Sequence, residues 1–469
     1  MTGPRILIVL PYAMMARNFI QSGTLERLAE RGPLDVTIVS PSDSDAANAV
    51  KLGMRWQPMF HPLRLKEVEG ERAPALRRYG WYLRYLAGTG WRMALVHRFN
   101  RIRGFRGFAM RLRQSRKLRW RFVLEGLPMS RVFGFPFPRS RTIYDWLYRL
   151  YYSGWQRFEP VDALIRSFRP QLVVLGHLQT PLVTPYVLAA GSLGIPILGI
   201  NGSWDQPTTK GPLCPGLQRL LVQNEQVREE LQRFHDVPPG RIVTVGWTQM
   251  DPYADRSNFL DRRAFLAQAG YRAEERYVLF AANPGRLGDD EPEIAAQLAQ
   301  ALNAGRYGQS VRLHLRCHPN DRHWRERFGG LDGHPGVHLE PPGDADIVKL
   351  ANLIRHAEIV VASAGSINLD AAALDTPTVG LAWENASVPY WDRQARAYEI
   401  EHLAAVVGSQ HLPVARDLME LEGMIQEALD DRSSRAAGRQ ALRARFIEPL
   451  DGRASARVAA QIIDMVGKT

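Results

Sequence analysis

The chain has 469 residues, 45% hydrophobic, 23% charged and 9% aromatic, enough to bury at least two cores and far from a disordered tail. Its formal charge of +12 is uneven: Arg72 to Arg141 hold 18 Arg or Lys against a single acid, Glu125, a net +17, while the rest of the chain stands at −5. A uniformly basic protein is thereby excluded in favour of a mildly acidic chain with one basic segment, and two distant cysteines, Cys214 and Cys317, exclude a disulfide scaffold or zinc spacing and suit a reducing cytoplasm.

The first apolar run, Ile6 to Leu10, is too short for the core of a secretory signal and reads as a buried strand. A helix around Thr24 to Glu30 and a strand from Val36 to Ser40 follow, a parallel α/β opening. The next comparable strand, Leu172 to Leu175, lies about 130 residues on, where an ordinary crossover takes a few dozen. An insert at about residues 62–141 therefore carries the basic segment. Pro170 to Trp204 is uncharged, but its prolines and glycines predict strand, helix (Pro181 to Gly191) and strand (Ile197 to Ile200) rather than a membrane span.

A strand Leu220 to Val222, a helix Glu225 to Phe234 and a strand Ile242 to Val245 close the first half, and Gly246 and Asp251-Pro252 break the pattern. The cycle restarts with strands Tyr277 to Phe280, Val311 to Arg316, Val337 to Glu340, Glu358 to Ala362 and Thr376 to Leu381, separated by helices around Arg322 to Phe328, Asp346 to His356 and Ser366 to Leu374. The expected architecture is α/β, with two Rossmann-like domains facing a cleft. Residues 1–247 form an amino-terminal acceptor domain with the basic helical insert, 248–432 a nucleotide-donor domain, and 433–469 helices packing back across both.

Val360-Val-Ala-Ser-Ala-Gly-Ser-Ile-Asn-Leu-Asp370 runs from a strand through a small-residue turn into a helix. The amides of Gly365 and Ser366, the hydroxyls of Ser363 and Ser366 and the helix dipole suit a phosphate or diphosphate, and Asp370 can accept from ribose hydroxyls. Equally, the two serines can simply cap the helix. Leu315-Arg-Cys-His-Pro-Asn-Asp321 puts Arg316 and His318 at the carboxyl end of a strand, where doubly wound sheets bind ligands. In Phe280-Ala-Ala-Asn-Pro-Gly-Arg286, Gly285 allows close approach and Arg286 can neutralise a diphosphate.

The His-Pro after one strand and the Ser-x-x-Ser turn before a later helix resemble the HP and serine motifs of GT-B transferases with CMP- or CDP-activated donors. These include bacterial sialyl- and polysialyltransferases, β-Kdo transferases of capsule synthesis and CDP-glycerol glycerophosphotransferases. The serine turn is also similar to the Asp-Ser-Gly-Gly-x-x-Glu-Glu turn of UDP-N-acetylglucosamine 2-epimerases, with Ser363 in place of the aspartate, Ser366 in place of the second glycine and Asp370 at the second acid. Val243 to Asp251 resembles the Gly-x-x-x-x-Asp passage between GT-B domains. The resemblance spans Pro170 to Leu381. It implies His318, Ser363 and Ser366 on the donor phosphates, Pro341 to Asp346 near the base, and no metal or resident cofactor.

An inverting transferase needs a group to take the acceptor proton. Asp205, in Asn201-Gly-Ser-Trp-Asp205, is the first candidate and His177 the second. The basic segment interleaves 13 aromatics with its arginines, as does a peripheral segment on an anionic membrane. Tracking of single-stranded nucleic acid and an amphipathic helical insert with its own small core are the alternatives. The expected function is transfer from a nucleotide donor to a lipid-linked or surface-polysaccharide acceptor, at the cytoplasmic face of the membrane. A UDP-sugar 2-epimerase-like enzyme and a nucleic-acid-binding protein are the competing readings.

Overall fold

The computed structural model describes residues 3–41, 43–59, 148–149, 152–153, 157–209, 213–285, 290–343, 346–387 and 393–467. The basic segment 72–141 and Arg286 lie outside the described residues. The described residues fall into two compact units. One comprises the residues up to Gln249 together with those from Arg453 onward, the other Met250 to Gly452.

The first unit is built on a seven-stranded parallel sheet: β1 (Arg5–Val9), β2 (Asp35–Ser40), β3 (Arg55–Pro58), β4 (Leu172–Leu175), β5 (Ile197–Ile200), β6 (Leu217–Val222) and β7 (Ile242–Thr244). Their order in the sheet is β3-β2-β1-β4-β5-β6-β7. Strands of a parallel sheet covered on both faces read as continuous apolar runs, and all four residues of β4 and the last four of β1 are buried. The sequence reading missed β3, because Arg55-Trp-Gln-Pro58 is a half-exposed edge strand with no apolar run.

The second unit has six parallel strands: β8 (Arg276–Ala281), β9 (Val311–Arg316), β10 (Val337–Glu340), β11 (Ile359–Ser363), β12 (Thr378–Leu381) and β13 (Val414–Ala415). Their order is β10-β9-β8-β11-β12-β13. One face buries Phe280, Leu313 and Val361 against Ile294, Leu298 and Ile425 from flanking helices. The other packs Tyr277, Leu279 and Val360 against Leu353 and Ile354. In both sheets the strand order thus reverses next to the first strand, at β1/β4 and at β8/β11, which places a ligand crevice at the carboxyl ends of those strands.

The carboxyl-terminal helices divide between the units. The helix Ala436–Phe446 packs on the helix Ile367–Ala373 of the second unit, with Arg439 Nε 2.8 Å from Asp375 Oδ1. The helix Ala454–Val466 instead joins the first unit, burying Val458, Ala459 and Ile462 in the core of its sheet. Ser455 Oγ donates to the Ser22 carbonyl at 3.0 Å, and Arg219 bridges to Asp464 at 2.7 Å. Among the described residues no helix is long and apolar enough to cross a membrane.

Candidate functional site

At the β8/β11 crevice Ala281 is in register with Ala362, so the chain leaves both strands side by side. After β8 it passes Asn283 to Gly285 and enters the helix Glu291–Asn303, and after β11 it turns through Ser363 to Ser366. The two exits are tied together by a buried hydrogen bond: Ser363 Oγ donates to Glu291 Oε1. Glu291 Oε2 accepts from the Asn283 amide at 2.9 Å and from Arg327 Nη2 at 3.1 Å. Arg327 also donates to Asp321 and, at 2.6 Å, to the Asn283 carbonyl. Gln394 Nε2 completes the group by donating to Ser363 Oγ at 3.2 Å.

Burial pushes the Glu291 carboxyl up to about 7, against the pull of its hydrogen bonds from Ser363 and Asn283 and the charge of Arg327. The side chains of Glu291 and Arg327 are both largely buried, so the sheet's switch point holds an ion pair shielded from water.

Neither serine caps the helix that follows. Ser366 is exposed and makes no capping hydrogen bond, while Ser363 commits its proton to Glu291. Gly365 is required by neither backbone nor packing, since an added Cβ would meet nothing nearer than the Ser363 carbonyl at 3.7 Å. Asp370 is buried, and one carboxylate oxygen accepts from the Tyr253 hydroxyl at 3.0 Å.

His318 follows β9, and its Nδ1 accepts from the Asn320 amide at 3.1 Å. The neutral ring therefore carries its proton on Nε2 and acts there as a donor. Arg316, the last residue of β9, lies 3.6 Å through Nε from Glu340 Oε2. Burial would raise the Glu340 carboxyl, but hydrogen bonds from His314 and Lys349 hold it down to about 2, so Arg316 faces an ionised acid. Glu291, Arg327, Asn283 and Gln394 were not found from sequence: an acid in a helix's first turn reads as a dipole partner, and nothing local marks it as buried.

The β1/β4 crevice of the first unit has a different chemistry. The Tyr12 hydroxyl and Thr180 Oγ1 share a hydrogen bond of 2.7 Å, and the Tyr12 and His177 rings meet edge to face at 5.6 Å. His177 is buried, and its Nδ1 accepts from the amides of Gln179 at 3.0 Å and Thr180 at 3.1 Å. Two donors on Nδ1 leave the proton of the neutral ring on Nε2. His177 therefore gives a hydrogen bond, and taking up a proton would break two buried amide bonds, which argues against the expected base role.

Asp205 follows β5 and is partly exposed, in a turn whose carbonyl at Asp205 accepts from Thr208 Oγ1 at 3.3 Å. Asn201 holds that turn through Nδ2, donating to the Ser203 carbonyl and to Gln223 Oε1. At Gly202 any side chain would strike Met15 Sδ at 1.9 Å and the Gly176 carbonyl at 2.6 Å, so the exits of β4 and β5 and the helix after β1 are packed tightly together. The first two crevice exits carry no carboxylate: from Leu10 to Thr24 and from Gly176 to Trp204 the chain has no Asp or Glu. Among the described residues no group of three His, Cys, Asp or Glu could hold a metal.

No protein-family model matches the sequence and no curated protein matches it, but solved structures do. A Staphylococcus aureus MnaA–UDP structure superposes with a TM-score of 0.56 at 12% identity, over 99% of this chain and 98% of that one. The fold is of the GT-B type. The UDP-GlcNAc 2-epimerase of Neisseria meningitidis bound to UDP-GlcNAc gives 0.53 at 11% identity, over 98% and 100% of the two chains. That of Methanocaldococcus jannaschii gives 0.53 at 12%, over 98% and 99%. At such identities the likeness is one of fold.

Proposed function

We propose that this chain is a GT-B transferase that moves a sugar or polyol phosphate from a nucleotide-activated donor to a lipid-linked or surface-polysaccharide acceptor. The observation that carries the reading is the buried Ser363–Glu291–Arg327 group at the β8/β11 switch point, where Rossmann-like sheets bind nucleotides. In this reading the exposed Ser366, the Gly365 amide and the His318 imidazole bind the diphosphate, and Arg286, which lies outside the described residues, is the neutralising charge expected from the sequence. Fold relatives solved with UDP and with UDP-GlcNAc support the ligand class.

Asp205 is the acceptor's base in this reading. For a sugar donor, the acceptor oxygen bonds to the anomeric carbon as the carbon–phosphate oxygen bond breaks; the proton passes to Asp205 and the nucleotide leaves with the bonding electrons. The fold relatives favour a second reading, a 2-epimerase-like enzyme. An epimerase removes and returns a proton at one carbon with no acceptor present, so dependence on an acceptor separates the two readings.

CMP, CDP and UDP at millimolar concentration separate the outcomes. At least one should raise the melting temperature, by roughly 2–4 °C for about 1 kcal/mol of binding linkage in units of this size. His318→Ala should lose activity while melting normally. Stabilisation by no nucleotide would sink the reading, and conversion of a UDP-sugar to its 2-epimer without acceptor would replace it with the second.

A further inference from the structure

A serine hydroxyl has one proton to give and two lone pairs to offer. At Ser363 the proton goes to Glu291 Oε1, and one lone pair takes the Gln394 amide at 3.2 Å. While Glu291 is a carboxylate, Ser363 can therefore show a phosphoryl oxygen only a second lone pair, which repels it. The sequence motif alone, a serine at the end of a strand, suggests a ready donor; the hydrogen bonding shows a donor already engaged.

We propose that Glu291 is the positioning residue of this site: protonated on Oε1, it donates to Ser363 Oγ and releases the serine proton to a bound phosphoryl group, so that phosphate binding takes up one proton. No heavy atom has to move. Oε2 keeps its bonds from the Asn283 amide and Arg327, which leaves Oε1, the oxygen facing Ser363, as the place for the proton. Naming the phosphate as that of a nucleotide rests on the transferase reading; the proton link itself does not.

The groups around Glu291 agree with this assignment. From the helix Trp324–Phe328 comes Arg327, itself shared with Asp321 from the β9 exit. From the turn Gln394–Glu399 come Gln394 and Tyr398, and burial, then the Glu291 charge, raises the Tyr398 hydroxyl far above the range where it ionises. From its own element comes Asp290, one oxygen of which accepts from Asn385 at 3.0 Å. Gln394 Oε1, the Tyr398 hydroxyl and the second Asp290 oxygen are buried and make no hydrogen bond among the described residues. Of these, Gln394 Oε1 belongs to the side chain that meets Ser363, so an acceptor stands beside the hydroxyl whose proton is to be released. The carboxyl's position near 7 puts the exchange within reach at neutral pH.

The test is calorimetric titration of UDP and CDP between pH 7.5 and 8.5, where the terminal phosphate is already fully ionised, in two buffers of different ionisation enthalpy. The wild type should take up close to one proton per nucleotide, and its affinity should fall up to tenfold over that unit of pH. Glu291→Gln, whose amide donates to Ser363 permanently, should bind with no uptake and a flat profile; Ser363→Ala should also show no uptake. A wild type without uptake, or a Glu291→Gln profile as steep as the wild type's, would overturn the proposal. If neither nucleotide binds at any pH, the nucleotide reading fails, and the same titration with pyrophosphate decides the proton link. Pyrophosphate binding with uptake upholds the link, and its failure to bind overturns it too.

Discussion

His177 shows how far a residue's chemistry departs from its residue type. A histidine after a strand, in a segment without charges, reads as a general base; two backbone amides on Nδ1 make it a fixed donor instead. His177→Ala should remove the acceptor of both buried amides, costing about 2–6 kcal/mol at about 1–3 kcal/mol per group. His177→Asn puts an oxygen where Nδ1 stood and should recover most of that, read as chemical denaturation midpoints of the two variants. Equal losses would show that the ring's bulk, not its acceptor nitrogen, matters. Glu291 carries a second test at this scale. Its folded-state value is raised, so its contribution is fully present below the unfolded value near 4.5 and is lost as pH rises through about 7. Relative to wild type, Glu291→Gln should gain stability between pH 5 and pH 8, and a constant difference across that range would contradict the raised carboxyl. His318 and Ser363 were legible because a strand ending in a turn marks the crevice edge. Glu291 was not, because its burial is decided by Ser363 and Gln394, 72 and 103 positions away along the chain.

Among the elements, strands that carry an apolar run were readable, and the two edge strands without one were not. The central strands β4, β8 and β11 are runs of Val, Leu, Ile and Phe, and each was located within a residue or two. Of the four edge strands, each held by one neighbour, β7 and β10 were located, whereas β3 has no apolar run and β13 is only two residues long. The final helix was legible as a helix through its apolar stripe at Ala454, Val458, Ala459, Ile462 and Met465, but not in its destination. The stripe buries itself in the first unit, beside Ile6, Val174 and Leu25. Ile462 is fully buried there, so Ile462→Ala should cost about 2–5 kcal/mol and lower the melting of the first unit. The nucleotide-dependent stabilisation of the second unit should survive. Loss of that response in a folded Ile462→Ala protein would contradict the assignment of the helix. The partly exposed Arg219–Asp464 pair adds at most about 1 kcal/mol, so the apolar stripe dominates.

For the whole molecule the decisive quantity is where charge sits. Residues 72–141 hold a net +17 and 13 aromatics, inserted after β3 and before the helix Glu159–Phe168 that leads into β4. Each Arg or Lys near an anionic lipid surface contributes about 1 kcal/mol, screened over a Debye length of about 8–10 Å. Even if only a third of the 18 engage, about 6 kcal/mol favours the membrane at low salt, before any aromatic insertion. Deleting 72–141 changes the formal charge from +12 to −5 and removes no strand of either sheet and no member of the Ser363–Glu291 group. The deletion variant should therefore lose flotation with vesicles containing phosphatidylserine while keeping the nucleotide-dependent melting shift. In the full chain, binding should weaken as salt rises from 50 to 300 mM and be absent on neutral phosphatidylcholine vesicles. Binding of single-stranded RNA in place of vesicles would instead assign the segment to nucleic acid, and binding to neither would leave its arginines as a solvated face. Composition alone fits both partners, since single-stranded nucleic acid is also tracked by many cations interleaved with stacking aromatics, so the vesicle and RNA arms decide between them.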